Sequence, residues 1–349
     1  MHRRIRRKSK LLTTAATLAV TALLASACGG GGGGGGGSDQ EKTTLRYQGA
    51  VGQVTLPELA ADLGYLGPVK LEWIGNTISG PQDIQAATTG DTDFGGAFNG
   101  AIIKLVAAGA PIKSVISYYG VDKDSYSGYY VLADSPIRSA RDLIGKKVGM
   151  NTLGAHVEAV LDSYLKKEGL SSAEIDKVVP TVVPPVNTEQ ALRAGQIEVG
   201  VLGGLLRDKA LDRGGIRPIF SDYELYGTFA AGSYVFRKDF IAKNPTTVRS
   251  FIEGVARALE WAKSHPRNEV IARFTQIIEK RDRKEDKRAI GFWKSYGVPD
   301  KGGLIADKNF TRWIDFLRED GQLKKDVKPA DLYTNEFNPF RPGGPDSGR

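Results

Sequence analysis

A short glycine-bounded pattern occurs twice in this chain of 349 residues. It reads Gly-x-x-acidic-(Phe/Val)-Gly and spans residues 90–95 and 195–200. In each copy a short helical run precedes the pattern, and a loop of small residues follows it, at 98–100 and 203–204. Short apolar runs typical of strands alternate with helical runs over much of the chain, which favours an α/β fold with largely parallel sheets. The repetition predicts two related lobes whose strand-end loops face one cleft.

The N-terminus has the composition of an export signal. Six Lys and Arg residues within positions 3–10 precede an uncharged run over 11–24 and then small residues up to Cys28. Cys28 is the single cysteine of the chain, and its context resembles a bacterial lipobox, where lipid is attached to the cysteine. We predict a signal peptide over 1–27 and an extracytoplasmic protein anchored to the cell membrane by lipid at Cys28. The alternative is an ordinary signal peptide with an incidental cysteine. Residues 28–42, which include nine consecutive glycines, are expected to form a flexible tether.

Charge and composition exclude several functions. The formal net charge of +8 falls to +2 when the six cationic residues of the signal are set aside, so no electrostatic footprint for nucleic acid remains. A basic cluster at 280–288 is interleaved with acids and is interpreted as a solvated helix face or loop. One cysteine allows no internal disulfide. Beyond the signal the histidines are His156 and His265, which argues against a His/Cys metal site and a Cys–His nucleophile. We expect no metal and no cofactor.

Four stretches of the sequence resemble one family. They are residues 93–100 (DFGGAFNG), 107–113 (AAGAPIK) and 134–149 (DSPIRSARDLIGKKVG), together with a long helical run from an Asn-Pro pair at 244 to a His-Pro pair at 265. Over residues 43–320 the chain is similar to solute-binding proteins of ABC importers that handle aliphatic sulfonates, taurine, nitrate and thiamine-precursor pyrimidines. Many relatives carry a tryptophan and a proline in the cleft loop where this chain has a Gly-Gly pair, which removes an aromatic wall.

The resemblance implies a two-lobed periplasmic-binding-protein fold (type II) of the α/β class, with the ligand cleft between the lobes. The chain would cross between the lobes twice, near 130–133 and near 228–234. The family further implies capture of a small anionic organic solute by lobe closure and delivery to an ABC permease, without catalysis. We expect a monomer. The expected segments are lobe 1 at 43–132 and 234–340, lobe 2 at 133–233, and a disordered tail at 341–349.

The candidate site is built from helix starts. A helix N-terminus presents free N–H groups and a partial positive charge, so it can hold an anion without a cationic side chain. Three loops that open helices toward the cleft, at 49–53, 99–101 and 152–155, contain no Lys or Arg. The predicted ligand-binding residues are Gln53, Thr77, Ser79, Phe98, Asn99, Gly100, Tyr129, Thr152, Gly154, His156, Gly203 and Gly204.

Several of these residues have a structural alternative. Asn99 and Thr152 are also typical helix caps, and Tyr129 is also a candidate core residue. His156 starts a helix, where the neutral imidazole is favoured. It is interpreted as a ligand contact or as a surface or capping histidine, with a catalytic base the least favoured role. The late tryptophans are interpreted as packing residues, namely Trp261, Trp293 and Trp313.

Two other function classes stay open. One is an enzyme on the same fold, since pyrimidine-precursor synthases that resemble this family use pyridoxal phosphate. Such an enzyme needs a cleft lysine to form a Schiff base, and the predicted cleft loops hold none. The other is a sensor that reports a solute to a membrane kinase, which only its partner would distinguish. Nitrate, taurine, alkanesulfonates, aromatic sulfonates and pyrimidines all remain open as solutes.

Overall fold

The structure, a computed structural model, describes residues 40–323 and 325–348. The predicted signal peptide and the predicted lipidation site at Cys28 lie outside the described residues, as does most of the predicted tether. From Glu41 onward the chain forms one compact unit. Within the described ranges, no helix is both long enough and apolar enough to cross a membrane.

Ten β-strands occur in the described part of the chain, and most of them alternate with helices along the chain. The strands are β1 (Thr44–Gly49), β2 (Lys70–Asn76), β3 (Phe94–Phe98), β4 (Ile112–Val121), β5 (Ser127–Leu132), β6 (Lys147–Met150), β7 (Val179–Val182), β8 (Val199–Gly203), β9 (Ile216–Ser221) and β10 (Phe229–Arg237).

These strands form three sheets. The first sheet pairs β1 with β2 in parallel, and the second has the order β3-β10-β4 with β10 antiparallel to both neighbours. The third sheet has the order β7-β6-β8-β5-β9, in which β6 is parallel to β7 and β8 whereas β5 is antiparallel to β8 and β9. The first sheet adjoins the second, because the Asp93 N–H donates to the Arg46 carbonyl at 3.0 Å. The predicted α/β class is confirmed. The expectation of largely parallel sheets is wrong, because four of the seven strand pairings among the described residues are antiparallel.

Thirteen α-helices of the described residues connect and cover the sheets. They are α1 (Leu56–Asp62), α2 (Gly80–Thr89), α3 (Asn99–Ala107), α4 (His156–Lys167), α5 (Ser172–Ile175), α6 (Pro185–Arg193), α7 (Gly204–Arg213), α8 (Asp222–Tyr226), α9 (Lys238–Lys243), α10 (Pro245–Ser264), α11 (Arg267–Lys280), α12 (Lys308–Glu319) and α13 (Pro329–Leu332).

Local signals in the sequence set the ends of several helices. Pro81 lies in the first turn of α2, and the helix ends at Gly90, whose φ of 86° is the left-handed conformation that glycine tolerates. A capping box between Ser171 and Glu174 opens α5. The Asn-Thr-Glu-Gln run at 187–190 has the spacing of a second capping box, but it does not open a helix. Helix α6 already begins at Pro185, because a proline fixes φ at a helical value and needs no N–H in the first turn.

The chain changes sheet earlier than predicted. It leaves the second sheet at the end of β4 and joins the third at β5, so the first change falls at 122–126 and Tyr130 lies inside β5, opposite Gly200. The return falls at 222–228, between β9 and β10. The physical reason is burial, since Tyr129 and Tyr130 are 0% and 2% exposed and anchor β5 in the core on both faces of its sheet.

The C-terminal segment packs against the body. The Asp346 N–H donates to the Pro339 carbonyl at 2.9 Å, and Arg257 of α10 pairs with the Asp346 carboxylate at 3.2 Å. Asn338 is fully buried and donates to the Gly302 carbonyl at 2.8 Å. The prediction of a disordered tail is therefore wrong for residues 341–348.

Candidate functional site

Three adjoining cavities lie between the second and third sheets, and together they are called the cleft. Their volumes are about 310, 400 and 230 Å³, and Gln53 lines all three. Sites for small molecules in proteins have volumes of about 300–1,000 Å³, so the cleft has room for a small organic solute.

Two long helices begin at the cleft. His156 and Val157 at the start of α4 line it, as do Gly204 and Leu205 at the start of α7. Neither helix has a side-chain hydrogen bond from its N-cap residue. Helices α2 and α6 also begin at the cleft, at Gly80 and Pro185, so several helix ends give the cleft partial positive charge. The sequence predicts this for α4, whereas the starts of α2, α6 and α7 are not among the three predicted helix starts.

His156 is enclosed by aromatic rings at the back of the cleft. His156 is 8% exposed, and its imidazole stacks on Phe98, with ring centroids 5.2 Å apart. Burial lowers the pKa of His156 to about 4, so the ring is neutral at physiological pH. The neutral form agrees with the expectation, but desolvation rather than the helix end is its cause.

Two buried carboxylates line the cleft, and sequence reasoning misses both. Asp222 is fully buried at the start of α8, and its Oδ1 accepts from the Ser127 N–H at 3.0 Å. Its Oδ2 lies 3.4 Å from Nε2 of His156, and neither atom has a hydrogen-bond partner. Asp83 of α2 is 8% exposed, and its Oδ2 accepts from the Gly96 N–H at 2.7 Å. Burial raises the pKa of each carboxyl to about 7. Asp222 directly follows Ser221 at the start of α8, and Asp83 lies in the first turn of α2, and both settings are typical of ordinary capping.

A long segment after α11 supplies one wall of the cleft. Residues 281–297, here called the strap, carry Trp293 and Tyr296, which line the cleft. Trp293 also packs edge-on against Phe274, with ring centroids 5.1 Å apart. It therefore has two roles, the predicted packing role and the lining of the cleft. The strap restores an aromatic wall that the Gly-Gly pair at 203–204 does not provide.

Ion pairs fasten the strap to α1. Arg281 and Arg283 each lie 3.0 Å from the carboxylate of Glu58, and their side chains are 9% exposed. Glu285 accepts from the Gly52 N–H at 3.2 Å. The interpretation of 280–288 as a solvated segment is therefore wrong for these residues, because a buried acid on α1 pairs with both arginines.

A close backbone contact holds the C-terminal end of the strap. The Gly120 N–H donates to the Tyr296 carbonyl at 2.9 Å. A Cβ atom on Gly120 would collide with the Gly297 carbonyl oxygen and would lie 2.5 Å from the Phe229 carbonyl oxygen.

We expect Gly120→Ala to lower the free energy of unfolding by about 1–3 kcal/mol through overpacking, measured by urea denaturation. Gly291→Ala is the matched control, because nothing lies within 4 Å of its added Cβ. Equal effects of the two variants would contradict this contact.

Polar contacts bridge the two sides of the cleft. Ser79 Oγ donates to Thr152 Oγ1 at 3.1 Å, and Asn151 Nδ2 donates to the Ile78 carbonyl at 2.9 Å. Asp208 of α7 pairs with the strap residue Lys294 at 3.0 Å. These side-chain contacts join the two sides of the cleft.

The structure distributes the predicted ligand-binding residues over three places. Gly100 and Gly154 line a separate cavity of about 290 Å³ beside α12. Asn99 is buried, and its amide bonds Asn309 and Ser233 at 3.1 and 2.9 Å. Tyr129 donates to the Val157 carbonyl and stacks on Phe220 in the core. The residues that do line the cleft are Gln53, Thr77, Ser79, Phe98, Thr152, His156, Gly203 and Gly204.

No Lys or Arg is among the described residues that line the cleft. Lys104 lies in the separate cavity and donates to the Gly154 carbonyl at 2.7 Å. Pyridoxal phosphate therefore does not fit this cleft, since its Schiff base needs a lysine there. Within the described ranges, no group of three or more His, Cys, Asp and Glu residues could hold a metal ion.

The sequence model of the NMT1/THI5-like family matches residues 73–269. The match covers more than half of the chain, and the chain belongs to this family. No curated protein matches the chain by sequence.

Solved structures share the fold. The alkanesulfonate-binding protein SsuA from Xanthomonas axonopodis pv. citri, bound to MOPS, is 20% identical over 84% of this chain and 99% of its own, with a TM-score of 0.67. The periplasmic nitrate-binding protein NrtA from Synechocystis PCC 6803 is 14% identical over 84% of this chain and 87% of its own, with a TM-score of 0.66. A Candida albicans protein described as having the generic periplasmic binding protein fold is 13% identical over 85% of this chain and 97% of its own, with a TM-score of 0.63. The predicted periplasmic-binding-protein fold is confirmed.

Proposed function

We propose that this protein is the extracytoplasmic solute-binding component of an ABC importer. It is exported, anchored by lipid at Cys28, and captures a small solute in the cleft for delivery to a membrane permease. One observation carries the proposal. The cleft is enclosed between two sheets that are joined by two short segments, at 122–126 and 222–228. Such an arrangement can open and close by rotation about those segments.

Three further points support solute capture rather than catalysis. The lining combines aromatic and hydroxyl side chains with uncapped helix ends, which is typical of a binding cleft. It holds no lysine for a Schiff base among its described residues. SsuA and NrtA, which share the fold, are named as binding proteins.

The charge of the solute is a separate question. The sequence predicts an anionic organic solute, and the ligands named for the related folds, MOPS and nitrate, favour that class. The two carboxylates of the cleft, and the absence of Lys and Arg from its described lining, disfavour an anionic solute.

Closure can be tested at the bridge between Ser79 and Thr152. The double variant Ser79→Cys/Thr152→Cys is expected to form a disulfide in the closed state, because the two hydroxyls are 3.1 Å apart. A panel of sulfonates, nitrate, carboxylates, pyrimidines and amines is screened for acceleration of cross-linking, and native mass spectrometry identifies any solute that copurifies. The single variants are the controls. A protein that carries no solute, and whose cross-linking rate no compound changes, would overturn the proposal.

A further inference from the structure

The cleft is rich in buried hydrogen-bond acceptors that have no partner. Oδ2 of Asp222, Oδ1 of Asp83 and Oε1 of Gln48 are all buried and unbonded. Buried polar groups in proteins are nearly always hydrogen-bonded, and an unmade bond costs free energy. Three such acceptors along one cleft call for a ligand that donates hydrogen bonds.

Charge arithmetic points the same way. A helix N-terminus is equivalent to about half a positive charge, so the starts of α2, α4, α6 and α7 at the cleft together offset roughly two carboxylates. The cleft holds two carboxylates, Asp83 and Asp222, and no Lys or Arg among its described lining residues. No positive charge is left over for an anion.

Aromatic rings accompany both carboxylates. Tyr118 and Tyr234 stack at 4.1 Å and line the same cavity as Asp83. Tyr126 and Trp293 line the cavity that contains Asp222. The faces of aromatic rings attract cations, most strongly where water is excluded.

We propose that the solute of this cleft is an organic cation with N–H donors, most simply a protonated amine, bound by Asp222, with Asp83 and Gln48 as acceptors in the adjoining cavity. The proposal rests on the solute-binding function proposed above and names the chemical class of the solute.

The pH dependence of binding follows from the carboxyls. Burial raises the pKa of Asp222 and that of Asp83 to about 7, so both are largely neutral at pH 5.5 and largely charged at pH 8. The groups that face Asp222 are His156, Arg207 and the tyrosines Tyr119, Tyr129 and Tyr226, and those near Asp83 are Tyr118 and Tyr234. His156 stays neutral over this range, because burial lowers its pKa to about 4. The affinity for an amine should therefore rise roughly tenfold or more between pH 5.5 and pH 8, whereas the affinity for an anion should fall.

The test compares matched probes on the full-length protein purified in detergent. The probes are 2-phenylethylamine, 3-phenylpropanoate and 3-phenylpropan-1-ol, with MOPS and nitrate added, and the readout is calorimetric affinity at pH 5.5 and pH 8. At pH 8 we expect the amine to bind at least tenfold more tightly than the matched carboxylate and alcohol.

Two variants locate the effect. Asp222→Asn keeps the acceptor for the Ser127 N–H and removes the charge, and it should weaken amine binding at pH 8 at least tenfold and flatten the pH profile. Asp162→Asn is the control. Asp162 is a carboxyl of the separate cavity whose pKa burial also raises to about 7, and its loss should leave amine binding unchanged. The pH profile of the unmodified protein keeps the test valid if Asp222→Asn does not fold.

The outcomes separate the two proposals. Tighter binding of MOPS, nitrate or the carboxylate at pH 8 would overturn the cationic solute and leave solute capture standing. Binding by no probe, with no solute copurifying, would overturn both.

Discussion

Replacing Trp313 by alanine is expected to lower the free energy of unfolding by about 3–5 kcal/mol, the usual cost of removing a large buried aromatic side chain. Trp313 of α12 is 1% exposed. Its ring lies 4.6 Å from that of Phe98 in β3 and 6.2 Å from that of Phe229 in β10. It also contacts the rings of Tyr226 and His156, so one side chain packs against elements from both sides of the cleft.

Two controls separate burial from aromatic character. Trp313→Phe keeps most of the packed ring and should cost about 1–2 kcal/mol. Trp73→Ala removes a ring that is 41% exposed and should cost less than Trp313→Ala. Urea denaturation followed by far-ultraviolet circular dichroism measures all three variants. A loss below about 1 kcal/mol for Trp313→Ala would contradict the packing described.

The parts of the fold that the sequence predicts correctly depend on local signals. Helix α2 is set by Pro81 and Gly90, and α10 by the Asn-Pro and His-Pro pairs at its ends, so neighbours in the chain suffice to place them. The repeat at 90–95 and 195–200 predicts the alternation of helices and strands, because it too is a pattern of residues that are neighbours in the chain.

The parts of the site that the sequence misses depend on contacts between distant residues. Asp83 and Asp222 look like residues of helix starts, and their burial comes from a cleft that the chain order does not reveal. Trp293 lines the cleft because Glu58, more than 220 residues earlier, holds the strap in place. The sequence predicts that Asn99 faces the solute, but its amide instead bonds α12 and β10. The local sequence cannot decide between a contact with the solute and a structural contact such as a helix cap, because each of these residue types suits both roles.

The second large effect is expected from Glu58→Gln, which removes the charge that fastens the strap. Glu58 is 6% exposed and accepts from the Tyr47 hydroxyl at 2.7 Å as well as pairing with Arg281 and Arg283. Removing one partner leaves the buried guanidinium groups without their full countercharge, which costs about 3–5 kcal/mol in such pairs. Glu285 still pairs with Arg281, so the strap is expected to loosen rather than to detach.

Loosening of the strap should also weaken the binding of a solute in the cleft. Trp293 and Tyr296 lie on the strap and form one wall of the cleft, so their displacement should weaken solute binding. Hydrogen exchange is the sharper readout, with faster exchange expected over 281–297 and little change in the third sheet. Glu253→Gln is the matched control, because Glu253 forms a partly exposed i,i+4 pair with Arg257 at 3.8 Å and its loss should cost less than about 0.5 kcal/mol. Unchanged exchange over the strap together with a loss of under about 1 kcal/mol would show that Glu58 does not hold it. Faster exchange with an unchanged affinity would show that the strap wall does not contact the solute.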